Sequence, residues 1–209
     1  MSRTPTLHRV KRTYTDETRR LAGRSMTQLE QTRVTPDALT AAGVGLSIAG
    51  AVVVYFEYLG WGFFWLGAGL FVIGSILDIL DGALARSRGL GTPFGAFLDS
   101  TVDRVGEGFM LGAIGLVLMR AGSEWGVALA FAAIGGSFLV SYTRARAEAL
   151  GLKGDVGIGS RAERVVVITA GLVLAPVGAL PWALVLLTAT AWLTVGQRVL
   201  AVRSQLRRD

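Results

Sequence analysis

The chain has 209 residues, 52 % of them hydrophobic and only 17 % charged, with a mean hydropathy of +0.52. That balance excludes an ordinary soluble domain of this length and points to an integral membrane protein. A net charge of +6 could suggest nucleic acid, but the basic residues fall in clusters between apolar stretches. The absence of cysteine excludes disulfides, zinc–thiolate centres and thiol nucleophiles, and the single histidine, His8, reads as solvated.

Residues 1–35 are basic and polar, with no apolar run suited to a secretory signal. Within them Leu21, Met26, Leu29 and Val34 recur at roughly helical spacing among charged neighbours, which predicts a juxtamembrane amphipathic helix on the membrane surface. Residues 36–209 read as one membrane domain, with nearly charge-free stretches at 38–58, 61–77, 109–119, 125–140, 165–180 and 182–195. Extended into their polar ends, most approach the roughly 20 residues needed to cross a hydrocarbon core. Pro36, Pro93 and Pro181 are placed to open the first, third and sixth helices. The expected fold is therefore an all-α integral membrane protein with six transmembrane helices. Basic residues cluster before the first helix, at Arg86 and Arg88, from Arg144 to Arg164 and after Arg198, whereas the alternate connections hold only Arg120. With both termini in the cytoplasm, every loop satisfies the positive-inside bias, and the multi-pass chain sits in the cell membrane.

Glycine occurs 28 times, and the pairs Gly67 with Gly74 and Gly108 with Gly112 suggest close helix packing. Neither "GLGTPFG" nor "GLKGDVGIG" ends in the Gly-Lys-Ser/Thr of a phosphate-binding P-loop.

The chemistry concentrates between Asp78 and Asp103. Asp78 and Asp81 are three residues apart, and Asp99 and Asp103 four apart, so each pair shares one helix face. The short loop from Ser87 to Thr92 predicts that the two helices run antiparallel, side by side, with both pairs near the cytoplasmic boundary. Carboxylates at such a depth need compensation. Arg86, Arg88 and Arg104 could supply it in a purely architectural ion-pair cluster. Alternatively the oxygen-only donor set suits Mg²⁺ or Mn²⁺, with two ions bridging a diphosphate. A carboxylate not saturated by metal could then take a proton from an attacking hydroxyl.

Asp78, Asp81, Gly82, Ala85, Arg86, Gly95, Asp99 and Asp103 together reproduce the D-x-x-D-G-x-x-A-R-x8-G-x3-D-x3-D signature, eight fixed positions over 26 residues. On these residues the chain resembles the CDP-alcohol phosphotransferase family. The resemblance implies a six-helix enzyme of phospholipid biosynthesis, commonly a homodimer, which moves a phosphatidyl-type group from a CDP-linked lipid such as CDP-diacylglycerol to an alcohol and releases CMP. It further implies that Asp78, Asp81 and Asp99 are metal ligands and that Asp103 is the general base and a further metal ligand. Gly82, Ala85, Arg86, Gly95 and Thr92 would surround the donor's cytidine and diphosphate, with Asp37 and Thr40 of "TPDALT" extending that contact.

The acceptor must be read elsewhere. "SYTRARAEALGLKGDVGIGSRAERVVV" carries five basic residues, and its Ser141, Arg144, Glu163 and Arg164, with Arg198 of "GQRVL", resemble the inositol-phosphate branch of the family. Arginines converging on one pocket suit a phosphate dianion through bidentate hydrogen bonds. A phosphorylated polyol is thus the expected acceptor, at a site formed by Ser141, Arg144, Arg164 and Arg198. Glycerol 3-phosphate as acceptor, or an archaeal-type CDP-archaeol donor, stays open. So do two other classes, an intramembrane prenyltransferase and an ion pathway through the four acids.

Overall fold

A computed structural model describes residues 35–207, and the surface helix expected over Leu21 to Val34 lies outside them. Six α-helices follow in order: α1 (Pro36–Tyr55), α2 (Gly62–Ser87), α3 (Pro93–Arg120), α4 (Glu124–Ala149), α5 (Arg161–Val173) and α6 (Leu180–Gln205). Short 3₁₀ turns occupy Glu57–Leu59 and Ala175–Val177, and no strand occurs among the described residues.

Local chemistry sets the helix starts. The Thr35 hydroxyl accepts from the Ala38 amide at 3.2 Å ahead of Pro36, and the Thr92 hydroxyl accepts from the Gly95 amide at 2.9 Å ahead of Pro93. Ser160 and Glu163 form a reciprocal capping box that starts α5. Pro181 is the second residue of α6.

Helices α1, α2, α4 and α6, of 20 to 26 residues, are long and apolar enough to cross a membrane. Between 22 % and 39 % of their apolar windows is buried inside the protein. Large side chains such as Val52, Trp65, Ile73, Ile79, Phe109 and Leu193 face outward, a surface suited to lipid rather than water. The chain is thus a membrane protein with an all-helical fold. Helix α3 has 28 residues but holds Asp99, Asp103, Arg104 and Glu107 between its second turn and its middle. Helix α5 has 13 residues, about 20 Å at 1.5 Å per residue. The apolar stretch 165–180 is not continuous helix, because Pro176 disfavours helical backbone at Ala175, and Gly178 turns the chain at φ 77°.

Helices α2 and α3 do not pack along their length, as the short connection had suggested. Helix α1 lies against both instead. The physical reason is a small-residue stripe, Gly43, Ser47 and Gly50. A Cβ built on Gly43 would stand 2.9 Å from the Gly74 carbonyl oxygen, and one on Gly50 would stand 2.8 Å from that of Gly67. On the other side, a Cβ on Gly106 of α3 would meet the Ser47 Cβ at 3.0 Å. Below this level Val54, Phe71, Met110, Leu111, Ile114, Leu172 and Leu184 form the apolar core. Gly108 faces α4, where a Cβ on it would meet the Phe138 ring at 3.2 Å, whereas Gly112 serves no such seam. Both line an open groove of about 920 Å³ between α1, α3 and α4, and a Cβ on Gly112 meets nothing within 4 Å.

Opposite the carboxylates, Arg120 ties the end of α3 to that of α1. It pairs with Glu57 at 2.7 Å, donates to the Tyr55 carbonyl at 3.0 Å and lies 4.6 Å from the ring centroids of Tyr55 and Tyr58.

Gly74→Leu is expected to push α1 from α2 and destabilise the detergent-solubilised protein by about 1–3 kcal/mol. Gly112→Leu, pointing into the groove, should shift thermal unfolding by no more than about 0.5 kcal/mol. Equal shifts for the two would contradict the seam.

Candidate active site

The helix ends that α1 draws together bring the acids into one place. Asp78 from α2 and Asp99 and Asp103 from α3 each offer a carboxylate oxygen, and the three atoms lie within 4.8 Å of one another. Asp81 stands beside them, in the field of Asp78 and Asp99, but outside this trio. Its Oδ2 accepts a hydrogen bond from the Thr40 hydroxyl, so Thr40, expected to touch the nucleotide, orients a carboxylate.

Arg161, the first residue of α5, enters between α2 and α3. One guanidinium nitrogen pairs with Asp78 Oδ2 and the other with Asp103 Oδ1. That Asp103 oxygen is buried and accepts no hydrogen bond of good geometry, its polar contact being this ion pair. One turn beyond Asp103, Glu107 extends the same face of α3 and grips Arg164 with both oxygens, at 2.7 Å to Nε and 2.9 Å to Nη2. Arg164 also donates to the Gly159 carbonyl at 3.0 Å. Both members of this pair are buried, at 6 % and 4 % exposure, so neither charge has water as a substitute partner.

The remaining expected residues separate by position. A Cβ on Gly82 would meet Arg86 Nη1 at 3.3 Å, so the glycine lets that guanidinium lie against the helix. The Ala85 carbonyl accepts from Leu90 at 2.8 Å and turns the chain after α2. Thr92 and Gly95 form the cap of α3 described above. Asp37 is exposed in the first turn of α1, three residues before Thr40.

On the acceptor side, Arg144 and Arg164 both lie in the field of Arg198, so the three arginines do share one region. Each already has a protein partner. Arg144, exposed near the end of α4, pairs with Glu148 at 2.9 Å, and Arg164 with Glu107. Arg198 donates to the Val156 carbonyl at 2.8 Å and to that of Val140. Ser141 is half-buried on α4, three residues before Arg144.

Two residues escaped the sequence reading, Glu107 and Arg161. Both had a signal in it. Glu107 continues the Asp99, Asp103 spacing by another four residues, and the Ser160-x-x-Glu163 capping box places Arg161 at the helix start. The direct cationic partner of Asp78 and Asp103 thus comes from α5, while Arg86 and Arg104 act on Asp99 through their fields.

The carboxylate-only donor set, with a buried Asp103 oxygen lacking a hydrogen bond, fits a hard divalent cation. A sequence model of the CDP-alcohol phosphatidyltransferase family matches residues 33–196. The chain belongs to that family, and it is a transferase enzyme of phospholipid synthesis. It is 39 % identical over 176 residues to the phosphatidylinositol phosphate synthase of Mycobacterium marinum, covering 81 % of this chain and 74 % of that one. To the archaetidylinositol phosphate synthase of Methanothermobacter thermautotrophicus it is 41 % identical over 145 residues, covering 68 % and 71 %. Among solved structures, the Mycobacterium tuberculosis phosphatidylinositol phosphate synthase with CDP-DAG bound matches with a TM-score of 0.78 at 32 % identity, over 88 % of this chain and 94 % of that one. The same synthase in complex with manganese and citrate matches with a TM-score of 0.75 at 31 % identity, over 87 % and 88 %. Family membership replaces the prenyltransferase and ion-pathway readings, and the manganese complex and the acidic cluster together support use of a divalent metal.

Glu107→Ala would leave the Arg164 charge buried and unpaired, with an expected loss of about 3–5 kcal/mol. Glu107→Met combined with Arg164→Leu should recover most of it. Thermal unfolding of Glu107→Ala, Glu107→Met, Arg164→Leu and the double variant checks the coupling.

Proposed function

We propose that the chain transfers the phosphatidyl group of CDP-diacylglycerol to an inositol phosphate and releases CMP. The observation that carries this reading is the convergence of Asp78, Asp99 and Asp103 beside a region that holds Arg144, Arg164 and Arg198. The relatives named for inositol-phosphate products support the acceptor, and the CDP-DAG complex supports the donor.

In the reaction the acceptor hydroxyl forms a bond to the lipid-side phosphorus of the donor as the bond from that phosphorus to the CMP oxygen breaks. Asp103 takes the hydroxyl proton. Asp78, Asp81, Asp99 and Asp103 would hold two Mg²⁺ or Mn²⁺ ions, which when bound neutralise the diphosphate and stabilise the leaving CMP. Thr40 holds the Asp81 carboxylate by a hydrogen bond from α1. Gly82 and Gly95 leave room for the nucleotide beside Arg86, with Ala85, Thr92 and Asp37 on its border. Arg144, Arg164, Arg198 and Ser141 receive the acceptor's phosphate, for which Arg144 exchanges its exposed Glu148 partner.

All six helices cross or enter the bilayer, with both termini and the active site on the cytoplasmic side, in keeping with the basic clusters at 86–88, 144–164 and 198–208. The unit in the membrane is a homodimer.

Asp103→Asn is expected to lower CMP release by about 10²–10⁴-fold while CDP-diacylglycerol still binds. Release followed across inositol phosphate, glycerol 3-phosphate, serine and free inositol should be productive with the first alone. Equal release with glycerol 3-phosphate would overturn the acceptor assignment.

A further inference from the structure

The geometry points to Arg161 as an internal counter-cation that competes with the divalent metal for Asp78 and Asp103 and so sets the metal affinity of the site. The inference rests on the metal-binding reading above. Its guanidinium holds oxygens from two of the three carboxylates that converge, one on each of two helices. The third, Asp99, lies in its field.

A cation at these oxygens and the guanidinium need the same lone pairs, and like charges sharing them repel. Asp78 is 7 % exposed, so water cannot readily take over from either. The surroundings are already rich in positive charge, since Arg104 feels both Arg161 and Arg164. Arg164 cannot yield, because Glu107 and the Gly159 carbonyl hold it. Arg161 can. Its side chain is 33 % exposed, and the start of α5 is fixed by Ser160 and Glu163 rather than by its guanidinium, so it can swing outward while the helix stays built. An ion pair that merely docked α5 would stabilise the fold and leave metal affinity untouched or raise it. A competitor lowers it.

The test is a Mn²⁺ titration of the full chain in detergent without nucleotide, with free Mn²⁺ followed by electron paramagnetic resonance. Arg161→Gln should bind Mn²⁺ on the order of tenfold more tightly than wild type. Arg161→Lys, too short to hold both carboxylates, should fall between them. Arg120→Gln, which removes an ion pair at the opposite end, should match wild type. Without metal, Arg161→Gln should melt below wild type and gain more in Tm on saturating with Mn²⁺. Equal or weaker Mn²⁺ binding by a monodisperse Arg161→Gln overturns the proposal. If that variant does not fold, Arg161→Lys decides on the same criterion, that it bind more tightly than wild type. Absence of Mn²⁺ binding by wild type would instead remove the metal reading itself, and this inference with it.

Discussion

At Gly43 and Ser47, α1 comes close enough to touch α2 and α3 at one level, and the placement of the carboxylates follows from that double contact. Two helices linked by a short loop can splay. Here they are held through a third helix with almost no side chain on the facing stripe, so Asp78 and Asp103 meet across a narrow gap. A site made of like charges works against its own assembly, and backbone-to-backbone packing lower in the bundle is what holds it closed. The same stripe carries Thr40 one turn above Gly43, so the hydrogen bond to Asp81 belongs to this seam as well.

Helix α5 has a different attachment. It is the shortest of the six helices, and its first turn carries both Arg161, facing α2 and α3, and Arg164, facing α3. Ion pairs of this kind add little net stability over apolar packing, but a slip of one turn would strand charges on both sides at several kcal/mol each. The buried Arg164–Glu107 pair therefore fixes the register of α5, while Ile168 and Leu172 supply its apolar contact with the core. Through Glu107, the helix that bears Asp99 and Asp103 also sets the position of Arg164.

Much of the site was legible because its chemistry is local in sequence. The eight-position signature lies within one helix pair, and the spacings put each pair of acids on one face whatever the tertiary fold. The helix starts at Pro36 and Pro93 were equally local. What sequence could not show was partnership at long range. Arg86 and Arg104 are the near cations in the chain, yet Arg161, 83 positions from Asp78, makes the contact. The side-by-side packing of α2 and α3 failed for a related reason, since loop length limits how far apart two ends lie but says nothing of a third helix entering between them.

The connection between α4 and α5 is strapped to α6. Thr194 accepts from the Gly159 amide at 2.9 Å, Gln205 bonds both the amide and carbonyl of Lys153, and Arg198 holds the carbonyls of Val156 and Val140. Arg198 is therefore two things in one side chain, a fastener of the backbone that presents Arg161 and Arg164 and a cation of the basic region itself. Truncating it would loosen the presentation of its neighbours in the same stroke that removes its own charge, so a loss of turnover at this position confounds recognition with scaffolding. Separating the two calls for a change that keeps the strap intact while altering only what the region offers to solvent, and exposed Arg144 is the position where such a change can be made.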